Sequence, residues 1–224
     1  MPPGKLPLTA DARPVGPGGL PAPGAALPVV PASVTAHRPG AAGLLPAAPG
    51  RGPATLIYRE LDLRAFVEEA TEVQGQANGF TDEERGRRRH VIALRAGEAD
   101  LRAVGAFCEG RLIGFCYGAP FTLQWSWAAA IAPDLAGCRF AVLGTPFAVL
   151  ELHVLPSMWR LGAGSALLRH VHRDTEARWT LLTRRTSSQQ AELFYLSQGY
   201  VGLPIEMGQY TVMAAQLPLG ASRG

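Results

Sequence analysis

Cysteine is scarce in this 224-residue chain: Cys108, Cys116 and Cys138 form neither CxxC pairs nor an even set. That pattern argues against a zinc ribbon or other metal site and against a disulfide framework; a reducing, cytoplasmic setting is expected. Long apolar runs are lacking too, since none approaches the roughly 18 residues of a membrane span. No uninterrupted hydrophobic segment follows Lys5, so neither secretion nor a membrane anchor is expected. Charged residues make up 17% and aromatics 8% of the chain, at a net charge of +3. No Lys/Arg stripe interleaves with aromatics, which leaves nucleic acid without a footprint.

Proline, alanine and glycine, by contrast, crowd the first 54 residues, as in Pro14-Val15-Gly16-Pro17-Gly18-Gly19. Frequent prolines remove backbone donors, and few large side chains are present to offset the entropy of ordering, so residues 1–54 are expected to be a disordered leader. The rest reads as one domain over residues 55–218, with a short tail at 219–224. Apolar residues at 47% suit a folded core.

Leu56-Ile57-Tyr58 suggests a strand, and Leu61, Ala65, Phe66 and Ala70 recur at helical spacing from about Asp62, until Gly75 to Gly79 break the pattern. Thr81 and Glu84 form a capping box for a second helix, which carries the charged run of residues 85–90 as a solvated face. Runs 102–107 and 112–117 read as a hairpin around a Gly-containing loop. The segment 118–146, with Trp125, Trp127 and a Pro133-Asp134 turn signal, reads as a loop with some helix. A strand over 147–155, a helix over 162–177, a strand over 179–183, a helix over 189–198 and strands from 200 and over 210–217 complete the chain. The order predicts a mixed α/β layer with helices on both faces of a sheet.

Chemistry concentrates in Leu150-Glu151-Leu152-His153-Val154-Leu155-Pro156 and the following Ser157 to Leu168. This is strand, glycine-bearing turn, helix. The first turn of a helix has unpaired N–H groups and the positive end of the dipole, so it can cradle a phosphate. Gly162 and Gly164 let an anion approach the backbone. A P-loop is excluded because no Gly-Lys-Ser/Thr closes the turn, and Leu167 stands where a dinucleotide fold needs its third glycine.

The segment resembles motif A of the GNAT superfamily, Gln/Arg-x-x-Gly-x-Gly/Ala after a strand, with residues 159–164 in its place and Trp159 where Gln or Arg is usual. Downstream, Ser188-x-x-Ala191-x-x-Phe194-Tyr195-x-x-x-Gly199-Tyr200 is similar to the family's Asn-x-x-Ala-x-x-Leu-Tyr-x-x-x-Gly-Phe, with Ser188 for Asn. The resemblance implies a GNAT-like α/β fold, a mixed, mostly antiparallel central sheet flanked by helices, and an N-acetyltransferase that uses acetyl-CoA as co-substrate. It implies pyrophosphate binding by Arg160, Leu161, Gly162, Ala163, Gly164 and Ser165, and a pantetheine arm along Leu152 and Val154 with a contact from Ser188. Tyr195 matches a tyrosine that protonates the departing thiolate, and an N–H near Val154 would stabilise the oxyanion.

Alternation places Glu151 and His153 on one strand face, so either could take the amine proton. As residues, they are equally at home as a structural carboxylate and a half-buried histidine. The expected partner is a small-molecule or peptide amine, with direct transfer in a ternary complex and a possible homodimer. Binding of acetyl-CoA without turnover is the rival expectation, and Trp159 and Ser188 are its motive.

Overall fold

The computed structural model describes residues 55–219. The segment 1–54, expected to be disordered, and all of the tail beyond residue 219 lie outside them. The elements are β1 (Leu56–Glu60), α1 (Val67–Asn78), α2 (Asp82–Arg95), β2 (Arg102–Cys108), β3 (Arg111–Pro120), α3 (Ser126–Ala136), β4 (Phe147–Val154), α4 (Ala163–Val171), β5 (Trp179–Arg185), α5 (Gln189–Ser197), β6 (Val201–Met207) and β7 (Tyr210–Gln216). They build a seven-stranded sheet in the order β1-β2-β3-β4-β5-β7-β6. Its neighbours run antiparallel except β4 and β5, which are parallel.

Apolar side chains cover both faces of the sheet. Leu61, Val73, Phe115, Tyr117, Trp127, Ile131, Leu150 and Trp179 gather on the face of α1 and α3. Val104, Cys116, Phe147, Leu152, Leu167, Leu168, Leu182 and Tyr195 gather on the face of α4 and α5. At about 25 cal/mol per Å² of apolar surface buried, each large side chain contributes roughly 1.5–3 kcal/mol.

Local chemistry accounts for the firmest elements. Thr81 Oγ1 accepts from the Glu84 N–H at 3.3 Å, and the Glu84 carboxylate accepts from the Thr81 N–H at 2.8 Å. That reciprocal pair starts α2. The hairpin is tighter than expected, because Glu109 and Gly110 both take positive φ, as a two-residue turn requires.

Three expectations need correction. Residues 63–66 form a turn, and α1 begins only at Val67; the Leu61 N–H still extends the ladder to Ala103 O, and Leu63 is buried. Gly75 does not break α1. It is buried where the Arg85 side chain crosses, and a Cβ there would meet Arg85 Nε at 2.8 Å. Segment 118–146 is a loop with some helix as expected, the helix being α3, whose buried Trp127, Ala128, Ile131 and Leu135 follow helical spacing and which carries Pro133 inside it. Both Trp125 and Trp127 pack into the core, stacked 5.7 Å apart. Finally, α4 ends at Val171, because buried His172 caps it and Asp174 turns the chain with φ 60.

Candidate functional site

Two irregularities in β4 shape the site. Tyr117 pairs with Glu151 and Gly118 with Val149, so Leu150 is an extra residue that bulges the strand. The bulge resets the alternation and sends both Glu151 and His153 toward α1. On its other edge β4 pairs with β5 only through Phe147↔Thr180 and Ala148↔Leu181. Beyond those pairs the two strands part.

The parting leaves main-chain groups available. Leu155 N–H donates to Ile113 O on the β3 side at 2.8 Å. Successive residues aim their N–H and C=O at opposite edges, so Leu152 and Val154 present theirs toward the β5 side. One of these is taken: the Trp159 indole N–H donates to Val154 O at 2.7 Å.

At the end of β4 opens a cavity of about 320 Å³, walled by Leu152, His153, Val154, Trp159, Phe194 and the 160–165 turn, with Leu161 the exception in that turn. Gly162 caps α4 with φ 78, and Arg160 also lies in the left-handed region at φ 65. The first hydrogen bond of the helix is Ala166 N–H to Gly162 O. The N–H groups of Ala163, Gly164 and Ser165 precede it, with no side-chain cap and no acidic residue in the first turn. Such an end favours an anion. Gly164 lies under Phe194, whose ring a Cβ would meet at 3.2 Å.

Against this cavity stands a buried polar group. His153 Nε2 is 2.6 Å from Glu151 Oε2, and both residues are 2% exposed. The Gln74 amide nitrogen is 3.2 Å from each. Asn78 Nδ2 lies 3.4 Å from His153 Nδ1, and Arg88 Nη1 is 3.8 Å from Glu151 Oε1. A short imidazole–carboxylate contact is satisfied when the ring N–H donates from Nε2, which leaves the lone pair on Nδ1. Arg88 thus departs from the solvated face expected of residues 85–90, while Arg87 keeps to it through an exposed pair with Glu83.

On the opposite face, the Tyr195 hydroxyl is fully buried without a hydrogen-bond partner among the described residues. Burial, with Tyr200, Cys116 and Glu151 adding to it, pushes its pKa well above the ordinary phenol range. The group therefore holds its proton. Burial likewise pushes the Cys116 thiol up, which leaves it no nucleophilic thiolate.

The structure thus brings Leu152, His153, Val154, Arg160, Gly162, Ala163, Gly164 and Ser165 to one cavity, and ties Glu151 to it through His153. Leu161 projects outward at 60% exposure. Ser188 caps α5, accepting from the Ala191 N–H at 3.4 Å, and Tyr195 packs behind the cavity wall. Gln74, Asn78 and Arg88 were missed. The signal for Gln74 was a polar residue on the stripe of Ala70, Val73 and Ala77.

A mixed sheet whose central parallel pair splays beside a helix N-terminus defines the class: this is the GNAT fold. It aligns with a candidate GNAT-family acetyltransferase from Desulfovibrio desulfuricans at TM-score 0.55 and 16% identity, over 73% of this chain and 98% of that one. The PaiA N-acetyltransferase of Thermoplasma acidophilum, solved with coenzyme A, gives 0.52 and 16% over 72% and 99%. The ribosomal-protein-S18-alanine N-acetyltransferase of Escherichia coli gives 0.51 and 15% over 73% and 94%. No family model matches the sequence, and no curated protein matches it. Among the described residues no helix is long and apolar enough to cross a membrane.

Proposed function

We propose that this protein is an acyl-CoA-dependent N-acyltransferase that moves an acetyl group from acetyl-CoA to an amine by direct transfer in a ternary complex. The observation that carries the reading is the convergence, on one cavity, of an uncapped helix N-terminus, an unpaired strand edge and a histidine held by a buried carboxylate. The fold likeness supports it.

The residues suit a coenzyme A ester. Residues 160–165 offer N–H groups and the Arg160 guanidinium to a pyrophosphate. The free edge at Leu152 and Val154 offers main-chain pairing to an extended amide arm. Ser188 caps α5, the helix that brings Gln190 and Phe194 to the cavity wall. The orphaned Tyr195 hydroxyl is a protonated donor lacking an acceptor. When bound, the thioester supplies an activated acyl carbon.

The chain's own residues then divide the proton work. His153 takes the amine proton at Nδ1, and Glu151 holds Nε2–H and stabilises the imidazolium that results. Main-chain N–H near Val154 faces the gap where negative charge develops on oxygen. Were the buried Tyr195 hydroxyl to reach the cavity, it would protonate the departing thiolate, and solvent would carry the proton held by the His153 imidazolium back to the phenolate. The acceptor belongs to the class of amines, small-molecule or peptide.

Acetyl-CoA should raise Tm by mass action, and mass spectrometry against polyamines, aminoglycosides, amino acids and peptide N-termini should reveal one acetylated product. Absence of any thermal shift would sink the reading. A shift without a product on any amine would favour the second reading, binding without turnover, to which the hold of Trp159 on Val154 O lends support.

A further inference from the structure

α1 carries a buried amide where its pattern suits an apolar side chain. Gln74 shares the inward stripe with Ala70, Val73 and Ala77 and is 1% exposed. Its Oε1 is buried with no hydrogen-bond partner among the described residues. An unsatisfied buried acceptor costs roughly 1–3 kcal/mol, so packing alone favours a methionine or leucine here. Only the amide nitrogen speaks for glutamine.

That nitrogen sits at the junction of the polar group, 3.2 Å from Glu151 Oε2 and 3.2 Å from His153 Nε2. Oε2 already accepts the ring N–H at 2.6 Å. A second donor on the same oxygen restrains the carboxylate against rotation about its last bond. The other carboxylate oxygen faces Arg88 at 3.8 Å, and the Arg88 guanidinium lies over the Phe80 ring. One helical turn after Gln74, Asn78 lies 3.4 Å from the far ring nitrogen and donates to Gln74 O at 2.8 Å. α1 therefore touches both nitrogens of His153.

We propose that Gln74 is a positioning residue for acyl transfer. Its amide pins the Glu151 carboxylate against His153 Nε2–H and so keeps the ring in the tautomer whose lone pair is on Nδ1. The inference rests on the reading of His153 as the base. Partners that orient a metal-bound histidine typically change activity about 10- to 100-fold when removed, and the same scale is expected for Gln74.

The test uses the full chain labelled with ¹⁵N-histidine, in which long-range ¹H–¹⁵N spectra report the ring tautomer without any substrate. Wild-type His153 is expected to be protonated at Nε2, and Gln74→Met to exchange between tautomers. Because the substitution also removes the orphaned oxygen, its Tm should equal or exceed that of the wild type. Its kcat should fall about 10- to 100-fold, with KM and the acetyl-CoA thermal shift retained. A wild-type ring protonated at Nδ1 overturns the proposal with no variant needed. So does a Gln74→Met protein with unchanged tautomer and kcat, or one whose Tm and activity fall together as a packing defect would dictate. Failure of acetyl-CoA to shift the wild-type Tm would instead defeat the acyltransferase reading, while the ring spectra still judge what Gln74 does to His153.

Discussion

Tyr195 combines complete burial with a hydroxyl that has no partner among the described residues, and that combination makes it a sharp probe. Tyr195→Phe removes one oxygen and no hydrogen bond, so Tm should hold or rise. If the phenol donates the proton in the transfer, kcat should drop by about 10²- to 10⁴-fold with acetyl-CoA affinity intact. Steady-state kinetics on a confirmed acceptor check this, and a near-native kcat would remove Tyr195 from the mechanism. At this scale the sequence was legible where residue type meets local spacing: His153 and the 160–165 turn lie in one short stretch. Gln74 stands 77 positions from Glu151. Its meaning exists only once α1 lies across β4, and no local pattern encodes that crossing.

At the scale of elements, the junction of β4 and α4 carries the candidate site. Gly162 starts α4 in the left-handed region, where a Cβ would meet no neighbouring atom. The strain of a substitution is therefore conformational rather than steric, about 1–2 kcal/mol for an L-residue. Gly162→Val should lower Tm modestly, yet abolish the rise in Tm that acetyl-CoA gives, because the N–H groups after it would no longer converge. A retained rise would place the ligand elsewhere. The strand, turn and helix were readable because glycines and apolar periodicity mark them. The bulge at Leu150 was not, since an extra residue leaves no mark in an unbroken apolar run, and the extent of α3 was not, because Pro133 mimics a turn signal inside a helix.

At the scale of the whole molecule, helices on both faces of the sheet followed from the alternation of elements, whereas the strand order and the parting of β4 from β5 came only with the assembled sheet. Buried His172 watches over the place where they still meet. Its Nε2–H donates to Thr180 Oγ1 at 3.0 Å, and Thr180 in turn donates to Phe147 O at 2.9 Å. Burial, with the Arg102 charge adding to it, lowers the His172 pKa to about 4. An unfolded chain takes up this proton near pH 6.5. Between those values the unfolded state binds more protons, so stability is complete at pH 7 and is lost as pH falls from about 6.5 toward 4, by about 3 kcal/mol. Denaturant midpoints at pH 7 and pH 5 should show the loss, and His172→Phe should flatten it; an equally steep decline in that variant would assign the effect to other groups. The seam that His172 guards joins β1–β4 to β5–β7 by only two residue pairs. In mechanical terms the sheet is two leaves on a short binding. A ligand laid along the open edge would serve as further stitching between the leaves.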